Sequence, residues 1–300
     1  MKEKRWFEIK LVVPGALEEA ITNRLFELGA EGVNQQLTPD TEPVLSGFFA
    51  ESVQAAALTQ LREYLASLAA LFPQEKPVRL ECQAVDNQDW AERYKEFYRP
   101  QPLGHCFYLA PAWEKNASIP DGRIPIIMEP GQAFGTGLHA STQLCISLIE
   151  RVIKQQPHLT KLTLMDVGTG TGILAIAAYK LGIPQVSAID NDPIAVETAQ
   201  ENIALNHCTA IQVSSQPLSA FREPFDIVVS NILLETHKEL IGEYARLVKS
   251  GGQLILSGLL TPQKEEMDHC FSDRGFTLEL SESWQEWLAL MYIRQGNATA

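Results

Sequence analysis

Residues Met165 to Gly182 read MDVGTGTGILAIAAYKLG, and this stretch decides the fold. The run Lys161 to Val167, KLTLMDV, has the length and apolar content of a buried strand, and ILAIAAYKLG is predicted as a helix ending at Gly182. The loop therefore joins a strand to a helix. Gly168, Gly170 and Gly172 take three side chains out of that turn, so backbone can approach a ligand closely and free N–H groups at the helix start can meet a carboxylate or phosphate. A dinucleotide loop would read GxGxxG and a phosphate-binding P-loop GxxxxGK[ST]. Here the spacing is GxGxG, preceded by Asp166 and without a lysine, which counts against both. Such turns also serve as plain packing devices in α/β sheets, so the loop needs a second signal.

The second signal lies in PQVSAID, an apolar run ending on Asp190 and followed by NDPIAVETAQENIALN. An acid at the end of the second strand is where a cofactor ribose presents two hydroxyls in doubly wound folds, and a carboxylate can accept from both. Asp192 can cap the next helix, whose first residue is then Pro193. Read without the glycine loop, Asp190 fits a helix cap or turn equally well.

Together, DVGTGTGILAIAA and AIDNDPIAVETAQENIALN resemble a class I S-adenosylmethionine-dependent methyltransferase. Upstream, EPGQAFGTGLHASTQLC (Glu129 to Cys145) is similar to the FGTGxHxTT signature of the ribosomal protein L-eleven methyltransferases. Downstream, FDIVVSNILLETHKEL is similar to that family's DxVxANIL segment, and the matches stand in the same order. The sequence departs at HAST, where HPTT is usual, so that Ala140 and Ser141 replace proline and threonine while Thr142 is retained.

The resemblance implies S-adenosyl-L-methionine as cofactor, with the Gly168 to Gly172 loop against its methionine part and Asp190 accepting from its ribose hydroxyls. It further implies contacts from Thr142 and closure of the Phe134, Gly135, Thr136, Gly137 loop over the ligand. The expected cofactor-binding residues are thus Phe134, Gly135, Thr136, Gly137, Thr142, Asp166, Gly168, Gly170, Asp190 and Asn231. Asn231 precedes ILL, not the PP[YF] that clamps a planar amino group in methyltransferases of adenine and glutamine amides. A flexible alkyl amine is therefore the better acceptor, and Asn231 can accept a hydrogen bond from it; the residue also fits a strand-end turn. Methyl transfer from a sulfonium needs alignment, desolvation and a neutral amine, so no catalytic base is named. The substrate implied by the family is the large-subunit ribosomal protein L-eleven, methylated on lysine side chains and its α-amine. Alternatives are N-methylation of another protein or of a small amine, and, more remotely, an NAD-binding Rossmann protein.

The chain of 300 residues is 45% hydrophobic, enough for one large or two moderate packed cores. A formal charge of −13 argues against direct nucleic-acid binding, which clustered Lys and Arg drive, and suits a basic protein partner. No apolar run approaches ~20 residues and the start carries no cleavage-site pattern, so no membrane association and a cytoplasmic location are expected. Five dispersed cysteines, none in a CxxC pair, are expected to be reduced and mostly in the core. The six histidines lack metal-ligand spacing, no metal is expected, and they are read as surface or capping residues, with His139 inside the FGTG segment the one of greater interest.

Domain organisation follows from the alternation of periods. WFEIKLVV, a helix over Pro14 to Gly29, GVNQQLT, VLSGFFA, a helix over Ser52 to Phe72 and VRLECQAV give βαββαβ order, which suits a small ferredoxin-like α+β domain. Lacking any fingerprint of its own, the region 1–84 is expected to recognise substrate. DNQDWAERYKEFYRPQPLG is expected to form a linker helix within 85–102. From 103 to 300, runs at CFYLAPAW, LTLMDV, QVSAID, FDIVVSNI, GGQLILSGLL and WLALMYIRQ predict an α/β, doubly wound Rossmann-like methyltransferase sheet. The ligand is then expected at the carboxyl ends of its strands, where Gly168, Asp190 and Asn231 converge.

Overall fold

A computed structural model describes residues 6–30, 32–36, 43–50, 54–85, 99–114, 117–129, 137, 139–156 and 158–296. The chain divides into two compact units, Met1–Phe97 and Tyr98–Ala300.

In the first unit, β1 (Trp6–Val12), α1 (Glu18–Glu27), β2 (Gly32–Gln36), β3 (Val44–Ala50), α2 (Gln54–Leu71) and β4 (Arg79–Val85) follow the expected order. The sheet runs β2-β3-β1-β4 with antiparallel pairing throughout. Alternation along β1 sends Phe7, Ile9 and Leu11 to one face, where they meet Ile21 and Leu25 of α1 and Leu61 and Leu68 of α2 in a single core. The first helix is shorter than its pattern suggested: Gly15–Leu17 form a 3-10 turn and regular helix starts at Glu18. The expected linker helix falls largely on 86–98, outside the described residues.

The second unit opens with β5 (Gln101–Leu103), β6 (Phe107–Pro111) and β7 (Ile124–Met128), followed by α3 (Ala140–Gln155), β8 (Thr163–Val167), α4 (Ile173–Lys180), β9 (Gln185–Ile189) and α5 (Pro193–Leu205). Then come β10 (Gln212–Ser214), β11 (Phe225–Asn231), α6 (Leu234–Leu247), β12 (Val248–Leu260), α7 (Lys264–Ser272), β13 (Phe276–Trp284) and β14 (Trp287–Arg294). Seven strands form a sheet in the order β10-β9-β8-β11-β12-β14-β13. The first five are parallel, and β14 runs antiparallel to both its neighbours. Side chains of the central strands alternate between two cores: Leu164, Ile227 and Ile255 pack with α3 and α4, whereas Met165, Val228 and Leu254 pack with Tyr244 of α6 and Phe271 of α7. Helices thus cover both faces, and the fold is the expected doubly wound α/β sheet.

Two readings need correction. The CFYLAPAW run is not a strand of the large sheet; as β6 it pairs with β5 and β7 in a separate three-stranded sheet, because IPIIM at β7 supplies a nearer parallel partner. Its Phe107 and Leu109 still enter the α3–α4 core. The edge strand β13, FTLELSESW, was not expected; its exposed alternate positions break the apolar run that marks covered strands.

Candidate active site

Loop geometry at the carboxyl end of β8 follows from its glycines. Gly168, Gly170 and Gly172 have φ of 71°, 54° and 82°, all left-handed values that favour glycine. A Cβ on Gly168 would lie 2.5 Å from Cγ2 of Ile232, the residue after β11, so the loop and that strand end touch only because the side chain is absent. The N–H groups of Gly168 and Thr169 both donate to the Ile189 carbonyl at 2.9 Å, fastening the loop to the end of β9.

Asp190 follows directly. Its Oδ2 accepts from the Gly170 N–H at 2.9 Å and its Oδ1 from the Asp192 N–H at 3.1 Å. One lone pair on each oxygen remains for another donor. Asp192 itself caps α5 by accepting from the Ile194 N–H at 2.9 Å, with Pro193 as the first helical residue, as the sequence suggested.

Asp166 stands one residue before the end of β8 and is fully buried. Oδ2 accepts from the Thr169 hydroxyl at 2.6 Å and the Ala175 N–H at 3.2 Å, while Oδ1 is buried with no partner among the described residues. Burial pushes this carboxyl up to about 7 and the Asp190 charge adds to the rise, against the two hydrogen bonds that favour the anion. A second orphan lies at the end of β11: Asn231 donates through Nδ2 to the Thr142 hydroxyl oxygen at 3.3 Å, and its buried Oδ1 has no partner among the described residues. An unpaired buried oxygen costs about 1–3 kcal/mol, so two beside one glycine loop mark a place that another polar group would complete.

Thr142 is positioned by α3, whose N-cap is His139: Nδ1 accepts from the Ser141 N–H at 3.3 Å and lies 2.7 Å from the Ser141 hydroxyl. Ser141, one of the departures from the usual HPTT, thereby closes the cap. The His139 ring meets Trp287 edge-on, with centroids 4.4 Å apart, and burial lowers its pKa against the Glu286 charge. Gly137, at φ 86°, lies against Ile173 and Leu109, where a Cβ would come within 2.7 and 2.8 Å. Phe134, Gly135 and Thr136 lie outside the described residues.

Asp166, Gly168, Gly170 and Asp190 thus form one hydrogen-bonded group, and Thr142 and Asn231 another, joined where the Ser230 hydroxyl donates to the Val167 carbonyl at 2.9 Å. Asn202 of α5 escaped the sequence reading: its Oδ1 accepts from the Glu129 N–H at 2.8 Å and its Nδ2 donates to the Thr171 carbonyl at 3.0 Å, tying the end of β7 to the glycine loop. His237 corrects the reading of the histidines as surface or capping groups, since it is completely buried in α6. The cysteines are less internal than expected: Cys145 and Cys208 are buried, Cys106 and Cys270 intermediate and Cys82 exposed. Among the described residues no group of three or more His, Cys, Asp or Glu could hold a metal ion, and no helix is long and apolar enough to cross a membrane.

The family described as "Ribosomal protein L11 methyltransferase (PrmA)" matches residues 5–295. A protein named ribosomal protein L11 methyltransferase from Pelobacter propionicus is 32% identical over 307 residues, covering 98% of this chain and 99% of the relative. One of the same name from Geobacter sulfurreducens is 33% identical over 306 residues, covering 98% and 100%. Among solved structures, a ribosomal protein L11 methylase from Lactobacillus delbrueckii subsp. bulgaricus superposes with a TM-score of 0.60 at 33% identity, covering 66% of this chain and all of the other.

Proposed function

The chain belongs to the ribosomal protein L11 methyltransferase family, and from that premise we propose that it transfers methyl groups from S-adenosyl-L-methionine to nitrogen on lysine side chains and the α-amine of L11. The observation that carries this reading is a pair of buried oxygens without a partner among the described residues, Asp166 Oδ1 and Asn231 Oδ1, flanking a glycine loop that Asp190 bonds through the Gly170 N–H. These residues fit the cofactor. It is cationic, which suits the carboxylate of Asp166; its ribose is a double donor, which suits the lone pairs left on Asp190; and Gly168 and Gly170 leave backbone room beside them. In this reading Gly137 and Thr142 complete the cofactor set, with Phe134, Gly135 and Thr136 of the FGTG segment.

When bound, the cofactor supplies an electrophilic methyl carbon already activated by its sulfonium. The protein's work is then to align and desolvate the amine. A lysine at pKa ~10.4 lies about 3.4 units from neutrality at pH 7, a cost on the order of 4.6 kcal/mol, while an α-amine at ~7.8 costs about 1. Burial beside Asn231 disfavours the ammonium and lowers that cost. The Asn231 amide is anchored by Thr142, which leaves its oxygen to accept an N–H of the incoming amine and aim the nitrogen lone pair.

In this reading residues 103–300 carry the methyltransferase chemistry, 1–84 present the substrate and 85–102 link them. The excess of acidic residues suits a basic ribosomal protein. Methylation of a different protein, or of a small amine, would use the same site, and a small-amine enzyme would not require the first unit for turnover. Titration calorimetry of the full chain with S-adenosylmethionine and with NAD tests the cofactor. Saturable binding of the former alone is expected, and binding of NAD alone would overturn the reading.

A further inference from the structure

Beneath the site runs a chain of fully buried polar groups that methyl transfer itself does not use. His237 Nε2 lies 2.9 Å from the Ser257 carbonyl and Nδ1 3.2 Å from the Tyr244 hydroxyl. The Tyr244 hydroxyl donates to Ser230 Oγ at 3.1 Å, and Ser230 Oγ donates to the Val167 carbonyl at 2.9 Å. The chain reaches two strand termini of the site: Val167 precedes Gly168, and Ser230 precedes Asn231. The N–H of Ile232, the residue after Asn231 whose methyl abuts Gly168, donates to the same Ser257 carbonyl at 3.2 Å.

Proton accounting shows why the chain is unusual. Carbonyl oxygens only accept, so Nε2 must carry the proton that meets Ser257, and Ser230 commits its own proton to Val167. Burial pushes the imidazole down to about 4, leaving Nδ1 an acceptor at neutral pH. Tyr244 then has one proton for two acceptors, His237 Nδ1 and Ser230 Oγ. An ordinary core position would hold apolar side chains here, because a partly satisfied buried network is more costly than none.

Resting on the reading of the site given above, we propose that His237 and Tyr244 are positioning residues for methyl transfer: they hold the strand end bearing Asn231 in register with the glycine loop. Neither touches the reacting atoms; both act through Ser230 and Ile232. A shift of that strand end moves the Asn231 amide relative to the methyl donor, and small misplacements of an aligning group cost rate before they cost binding.

The test uses the full-length chain, S-adenosylhomocysteine and free L11. Tyr244→Phe and His237→Leu are expected to lower kcat about tenfold while the Kd for S-adenosylhomocysteine moves less than about threefold. His237→Gln, whose amide keeps a donor for the Ser257 carbonyl, is expected to recover most of kcat. In the unmodified protein, long-range nitrogen–proton spectra should show His237 as the Nε2–H tautomer, with an Nδ1 shift that moves when S-adenosylhomocysteine is added. That signature decides the matter should a variant fail to fold. Variants with wild-type kcat that differ only in Tm, or an Nδ1 shift indifferent to the ligand, would make the pair ordinary core and overturn the proposal. A wild-type protein that binds no S-adenosylhomocysteine would instead remove the cofactor reading, and this proposal with it.

Discussion

Two carboxylates on neighbouring strands have opposite surroundings, and single substitutions separate their roles. Asp190 is partly exposed and bonded to the Gly170 and Asp192 amides. Asp190→Ala is expected to weaken S-adenosylmethionine by about 1–3 kcal/mol, the range for losing charge-assisted hydrogen bonds. Calorimetry on the folded variant checks this, and unchanged affinity would take Asp190 out of the site. Asp166 is buried and raised to about 7, whereas an unfolded aspartate titrates near ~3.9, so folding takes up a proton there. The stabilisation from that proton is complete below about pH 4 and is lost as pH rises through 7. Ligand-free wild type should therefore lose more Tm than Asp166→Asn between about pH 5.5 and 8; parallel profiles would show that Asp166 does not titrate in this window. The places of Gly168 and Asp190 at the ends of β8 and β9 were legible because spacing and strand position expose them in one dimension. Asn202 and His237 were not, since each acts through partners 31 and 20 residues away, at Thr171 and Ser257, that only the sheet brings near.

Elements with strong local signals read cleanly: β8, α4 and β9 are marked by continuous apolar runs with glycine or aspartate at their ends, and α5 by its Asp-Pro start. The strands misread were those whose pairing decides their place. β6 has the composition of a covered strand yet joins a small sheet through β7, and β13 alternates because one side of the edge hairpin faces water. The loop after β8 is the least tolerant element. Gly168→Ala combines φ 71° with a Cβ 2.5 Å from an Ile232 methyl, so a loss of about 1–3 kcal/mol in stability and weakened cofactor binding are expected in denaturant and ligand titrations. His139→Ala removes the α3 cap and the edge contact with Trp287; a loss of about 1 kcal/mol is expected from the same titrations, with Thr142 displaced at the helix start. Wild-type stability in that variant would assign the cap no weight.

At the scale of the molecule, the alternation of periods separated an antiparallel α+β unit from a doubly wound one, and the chain divides at Phe97 and Tyr98. The recognition role proposed for the first unit rests only on its lacking any fingerprint of its own. A protein consisting of residues 98–300 should bind S-adenosylmethionine as the full chain does yet methylate L11 far more slowly; full-rate methylation by that piece would leave residues 1–84 without a recognition role. The central claim is that this chain methylates amines of L11, and its most direct test is to incubate the full chain with isotopically labelled S-adenosylmethionine and free L11, then map the label by tandem mass spectrometry. Label on lysine side chains and the α-amine of L11 is the predicted result, and label on ribosomal RNA or small amines with none on L11 would contradict it.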